Sequence, residues 1–161
     1  MRIRTADIED REILAHEMWI ELAEMMEPYS EANELKEDPK ELALNGFENV
    51  LESEDYETFL IEKDGNEIGF MNVKVEEKTT FKMDKCLDIV DLFIKEGFRG
   101  EGYGTKLVEK AEEYADKTGC DYITVSAEWK NKKAQEFYEK KGFKQKQVQF
   151  IKLRDEKWSR R

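Results

Sequence analysis

Gly100, Gly102 and Gly104 place three glycines in five residues, between an apolar run at 89–94 and a helix-patterned run at 106–117. Each gives up about 0.5–1 kcal/mol of conformational entropy relative to alanine, so such a cluster at a strand-to-helix junction needs a purpose. Glycine lets the backbone turn sharply and come close to a bulky group. The first-turn N–H groups of the following helix then point at whatever sits there. The chemistry that suits this stretch is capture of an anion by main-chain donors, with Arg99 before the glycines and Thr105 after them.

Two common nucleotide motifs do not fit. A dinucleotide fingerprint needs Gly-x-Gly-x-x-Gly near the start of a βαβ unit, and the spacing here is Gly100-x-Gly102-x-Gly104 after some ninety residues. A phosphate-binding loop needs Gly-Lys-Ser/Thr, and Gly104-Thr105-Lys106 inverts that order. What does fit is Arg99-x-x-Gly102-x-Gly104 behind an apolar strand, followed downstream by Asn131-Lys-Lys-Ala134-Gln-Glu-Phe137-Tyr138 and Gly142-Phe143. Together these motifs, from about Asp88 to Phe143, resemble the GNAT superfamily of acyl-coenzyme A dependent N-acyltransferases.

That resemblance implies a role for each residue. Main-chain N–H groups from Arg99, Gly100, Glu101, Gly102, Tyr103, Gly104 and Thr105 would bind the coenzyme A pyrophosphate, with the helix dipole behind them. Backbone near Leu92, Phe93 and Ile94 would hold the acyl and pantetheine arm on a bulged or splayed central strand, freeing an N–H to polarise the thioester carbonyl. Asn131 would contact the pantetheine arm, and Tyr138 would protonate the departing thiolate as general acid. Their spacing of seven puts both on nearly one helical face. The implied activity is acetyl transfer from acetyl-CoA to a primary amine by direct attack in a ternary complex. Neither Cys86 nor Cys120 lies in a nucleophile context, which disfavours a covalent enzyme intermediate.

The amine must lose a proton before it attacks. Asp91, on the strand ahead of the glycines, is the first candidate base, followed by Asp88 and Glu128. On a regular strand Asp88 and Asp91, three apart, face opposite ways, so only one reaches a cleft. For the acceptor, Glu9, Glu12, Glu17, Glu21, Glu24, Glu27, Glu31 and Glu34 near the N-terminus point to a small cationic amine, a polyamine or an aminoglycoside-like compound. A protein N-terminus or lysine is the same-class alternative. A non-catalytic acyl-CoA-binding regulatory module is the alternative of another class, and the presence of Tyr138 speaks against it.

The elements that must position these groups can be read in order. A strand at 3–5 precedes a helix capped by Asp7 and running to about Met26, which Pro28 stops. Met25, Met26 and Tyr29 near that joint are core residues or cleft lining. Asp38 as N-cap, Pro39 at the first helical position and Glu41 three residues after the cap start a second helix, to about Leu51. Strands at 56–62 and 67–75 flank the hairpin turn Asp64-Gly65-Asn66. A strand at 86–94, nearly all apolar apart from Asp88 and Asp91, reads as central. A helix ending near Gly119, a strand at 121–126, a helix from Asn131 to Gly142 and a last strand at 147–153 complete the order, with a basic tail at 157–161 as a frayed end. The expected fold class is α/β (α+β): a GNAT-like mixed, mostly antiparallel central sheet flanked by about four helices, with a splayed central strand pair. Residues 1–161 form a single domain, its cofactor-binding core at about 86–143.

Composition bounds what remains. The 161 residues suit one core, and 40% charged with 39% hydrophobic and 11% aromatic residues do not indicate disorder. One His (His16) and two cysteines without ligand spacing give no metal site, and the cysteines read as buried thiols. A formal net charge of −11 disfavours nucleic acid and anionic membranes as partners and suits a cationic substrate. With no signal peptide or apolar span, the expected location is cytoplasmic. An exposed sheet edge would let two copies pair as a homodimer.

Overall fold

A computed structural model describes residues 1–154. Its frame is a five-stranded sheet of β1 (Arg2–Thr5), β2 (Tyr56–Lys63), β3 (Asn66–Glu77), β4 (Lys85–Ile94) and β5 (Tyr122–Val125), lying side by side in that order. Neighbours are antiparallel except β4 and β5, which run parallel. A parallel partner requires a crossover, and that crossover is the glycine loop with α3 (Tyr103–Thr118). The other helices are α1 (Ile20–Met26), α2 (Lys40–Glu52) and α4 (Lys132–Lys140). This is the mixed, mostly antiparallel sheet with four helices that the sequence indicates.

Alternation along the strands divides the core in two. Phe59, Ile61, Met71, Val73, Leu87 and Ile89 point to one face and meet Leu107, Ala111 and Ala115 of α3, the helix's apolar stripe. Leu60, Phe70 and Phe93 point to the other and meet Leu14 and Met18 from the N-terminal segment and Phe47 of α2. Asp64 and Gly65 take left-handed backbone, φ 52° and 80°, and so close the β2–β3 hairpin.

Gly69 shows how closely β3 and β4 approach. A Cβ there would collide with the Phe93 carbonyl oxygen and stand 2.6 Å from Ile94 Cδ1. We expect Gly69→Ala to destabilise the fold by about 1–3 kcal/mol, as overpacking does. The check is the midpoint of a urea melt, and an unmoved midpoint would remove this constraint.

Four expectations change. The N-terminal helix is broken into a 3₁₀ turn, Ile8–Asp10, a π segment, Ile13–Trp19, and α1; Asp7 does cap its start, with a capping box to Asp10. Buried Ala15 and Ile20 stand five apart, the spacing of the i→i+5 ladder in which the Ile20 N–H donates to the Ala15 carbonyl. α2 begins one residue late, with Pro39 rather than Asp38 at the N-cap and no side-chain cap. The first rung joins the Ala43 N–H to the Pro39 carbonyl at 2.9 Å, which leaves Asp38 outside the ladder. Residues 147–153 form no strand: Val148, Phe150 and Ile151 are exposed, so no core contact holds the alternating pattern against the open edge of β5. α3 begins at Tyr103, three residues before the helix-patterned run. The tail at 157–161 lies outside the described residues. Cys86 is buried as expected, Cys120 is half-buried, and both are free thiols.

Candidate active site

The site is built on an irregularity in β4. Asn72 pairs with Asp91 and Val73 with Ile89, so Val90 is an extra residue bulging from the central strand. One extra residue reverses every facing beyond it. Asp88 and Asp91 lie opposite Lys74 and Asn72, two apart on β3, and therefore share a face. The expectation that they face opposite ways is corrected by this bulge. Pairing between β4 and β5 ends at Ile89 with Val125. Beyond it, residues 90–94 have β3 on one side and, among the described residues, no strand on the other. Val90 is left 43% exposed in the middle of the sheet.

On the shared face a short hydrogen-bond chain crosses three strands. Thr58 Oγ1 donates to Asn72 Oδ1 at 2.5 Å, and Asn72 Nδ2 donates to Asp91 Oδ2 at 2.9 Å. The chain orients the Asp91 carboxylate toward a groove of about 360 Å³ between the sheet and α2, whose lining includes Trp19, Leu42, Phe47 and Val50. Burial pushes the Asp91 carboxyl above the ordinary aspartate range, and the Asp88 charge adds to this against the Asn72 hydrogen bond. Such a carboxylate holds a proton more readily than a solvated one, as a base toward an ammonium should. The other two base candidates are engaged by other partners. Asp88 accepts from Thr124 Oγ1 at 2.8 Å, and Glu128 accepts from Asn33 Nδ2 at 3.0 Å, tying two loops together.

The glycine loop follows β4. Gly100 and Gly102 take left-handed φ of 81° and 88°, which explains two of the three glycines. Gly104 and Thr105 lie in the first turn of α3, and the N-cap Gly102 has no side chain to satisfy that turn's donors. These donors and the open space over Gly100 and Gly102, where a Cβ would meet nothing within 4 Å, fit an anionic group. Gly104 has a different reason: a Cβ would press within 3.3 Å of the Phe137 ring and 4.0 Å of Leu92. The start of α3, the end of β4 and α4 therefore meet at this one residue.

Arg99 turns inward. Its Nε donates to the Ile94 carbonyl at 2.7 Å, and its guanidinium lies over the Phe93 ring and 3.4 Å from Glu21 of α1. Its side chain braces β4 against α1, and its main-chain N–H donates to the Glu96 carbonyl at 3.3 Å. Glu101 pairs with Lys63 at 3.6 Å, and Lys63 also stands over the Tyr103 ring. Asn131 caps α4, its Oδ1 accepting from the Ala134 N–H at 3.1 Å. Tyr138 packs edge-on against Phe137 and Phe143. Burial pushes its phenol up to about 12, so it stays protonated throughout the neutral range.

Leu92 and Ile94 face α3, while Asp91 and Phe93 face α1 and α2, so the expected residues fall on both sides of the splayed strand. Thr58, Asn72, Trp19 and Gly46 were not expected at the site. Asn72, a polar residue inside the otherwise apolar run 68–73, was the one visible signal. Among the described residues no group of three His, Cys, Asp or Glu could hold a metal ion, and no helix is long and apolar enough to cross a membrane.

A model of the acetyltransferase (GNAT) family matches residues 19–143. An uncharacterised N-acetyltransferase of Archaeoglobus fulgidus is 31% identical over 86% of this chain and 89% of its own. Another, from Methanocaldococcus jannaschii, is 34% identical over 56% of this chain, and the match spans only 40% of that relative's length. Among solved structures, a tetramutant of the BH1408 protein from Bacillus halodurans superposes with a TM-score of 0.83 at 20% identity, over 95% of this chain and 100% of that one. The aminoglycoside N-acetyltransferase AAC(6')-Iy, solved in complex with CoA, gives a TM-score of 0.74 at 19% identity, over 95% and 94%.

Proposed function

The chain belongs to the acetyltransferase (GNAT) family, and from that premise we propose that it moves an acetyl group from acetyl-CoA to a small cationic primary amine by direct attack in a ternary complex. The observation that carries this reading is the bulge at Val90. It turns Asp91 into the groove beneath α2 and coincides with the end of the β4–β5 pairing, so the acceptor side and the donor side of the site meet at one point on β4.

The roles follow from the chemistry. The unfilled donors at the start of α3 and the open backbone of Gly100 and Gly102 take the pyrophosphate, while residues 92–94 take the pantetheine and acyl arm with Asn131. Asp91 accepts a proton from the bound ammonium. The freed nitrogen lone pair forms a C–N bond at the thioester carbon, the C–S bond breaks, the phenolic proton of Tyr138 passes to the leaving sulfur, and the second proton shed by the nitrogen restores the phenol, leaving a neutral amide and the CoA thiol. Polyamines and aminoglycoside-like compounds fall within the acceptor class that the acidic N-terminal segment suggests. That suggestion is narrowed by how those acids are used: Glu17 pairs with Lys95, Glu21 with Arg99, Glu27 accepts from the Leu35 N–H, and of the eight Glu34 alone lines the groove.

Thermal melts with acetyl-CoA, CoA and ATP test the donor. Acetyl-CoA at one hundred times its Kd should stabilise the fold by about 2.7 kcal/mol, CoA should act similarly through the shared pyrophosphate, and ATP should do little. No shift with either CoA species would overturn the reading.

A further inference from the structure

Gly46 stands in the middle of α2, where glycine is the least favourable residue after proline. Nothing in the protein's packing asks for it, since a Cβ there would meet no atom within 4 Å. Gly46 does line the groove above Asp91. Its missing side chain keeps that space open.

What surrounds the space is mostly hydrocarbon. Trp19 comes from the π segment, Leu42, Phe47 and Val50 come from α2, and Leu42 is 54% exposed although it lines the groove. The charged groups are few. Asp91 lies on the sheet, with Asp88 behind it engaged by Thr124 and facing Lys74 across the pair, while the exposed Glu34 and Lys36 oppose each other in sign. A polycation needs several acceptors spaced along its length, and here there is one oriented carboxylate with apolar wall around it.

We propose that the acceptor is a primary amine with one ammonium on a compact apolar body, aliphatic or aromatic, its nitrogen on Asp91 and its body between Trp19 and α2. This rests on the acetyl-transfer reading and deepens it. The ammonium supplies the charge complement of Asp91, and the body covers the apolar surface that Gly46 leaves accessible.

The test measures thiol release from acetyl-CoA with a panel of n-alkyl amines, arylalkyl amines, spermidine and kanamycin, for the wild-type chain and Gly46→Leu. The expected result is a kcat/KM for the apolar mono-amines at least tenfold above that for spermidine or kanamycin. Gly46→Leu should raise the amine KM at least tenfold, most for the bulkiest amines, while acetyl-CoA still raises the melting temperature as in the wild type. Comparable or faster turnover of spermidine or kanamycin, or an unmoved amine KM in Gly46→Leu, would overturn the proposal. So would thiol release with none of the panel when acetyl-CoA still stabilises the protein, and in that case the donor reading survives. Absence of that stabilisation would instead remove the acetyl-transfer reading itself.

Discussion

Asp91→Asn is expected to lower kcat/KM for the amine by about 10²–10³-fold, within the usual contribution of a positioned general base. The substitution keeps the shape of the side chain and a partner for Asn72 while removing the proton acceptor. Burial and Asp88 hold the Asp91 carboxyl above the ordinary range, so the wild-type kcat/KM should rise with pH as that group ionises, and this limb should vanish in the variant. The loss should also grow with the basicity of the amine, because a more basic ammonium depends more on its base. A pH profile with an unchanged limb would take Asp91 out of the mechanism.

The same substitution has a stability consequence of opposite sign. A carboxyl whose pKa is raised on folding binds its proton more tightly in the folded chain. Its contribution to stability is therefore present below the unfolded value, near 3.9, and is lost as pH rises through the folded value. At neutral pH the ionised, half-buried Asp91 is a liability that asparagine removes. Asp91→Asn should melt higher than the wild type by about 2–4 °C near pH 7.5, with the difference disappearing near pH 4. A site that gains stability when its charged group is removed is one that gives up stability for function.

Tyr138→Phe should lower kcat by about 10²-fold, toward the lower end of what general acids contribute, because a thiolate leaves more easily than an alkoxide. Phenylalanine preserves the edge-on contacts with Phe137 and Phe143, so the fold and the KM for acetyl-CoA should change by less than about threefold. The leaving group is common to every acceptor, so this loss should be the same for all amines. The two variants are thereby separable: one responds to the amine and the other does not. An unchanged kcat at every pH would leave Tyr138 as a packing residue between Phe137 and Phe143.

Local chemistry determined a great deal of this protein in advance. The Asp64-Gly65 turn, the alternation of β2 and β3, the stripe of α3, the Gly119 stop and the Asn131 cap are readable because each depends on residues within one or two turns of one another. The glycine loop was legible for the same reason, since left-handed backbone at Gly100 and Gly102 is a demand that few other residues can meet. Where local pattern had no tertiary partner it misled: residues 147–153 alternate like a strand and form none, and the N-terminal helix takes a π segment because Ala15 and Ile20 must both reach the core.

The sides on which the catalytic candidates face were decided only by the tertiary structure. Asp88 and Asp91 lie three apart in the chain, and counting alone sets them on opposite faces. The extra residue at Val90, visible only when β4 is laid against β3, puts them on one face and turns Asp91 toward the groove. The acceptor space was equally hidden, because Trp19, Gly46, Asn72 and Asp91 come from four elements distant in sequence. Sequence spacing determines what lies on one turn or one strand, and the donor loop is of that kind. The acceptor groove is a space between elements, so it exists only once the sheet register and the helix packing are set.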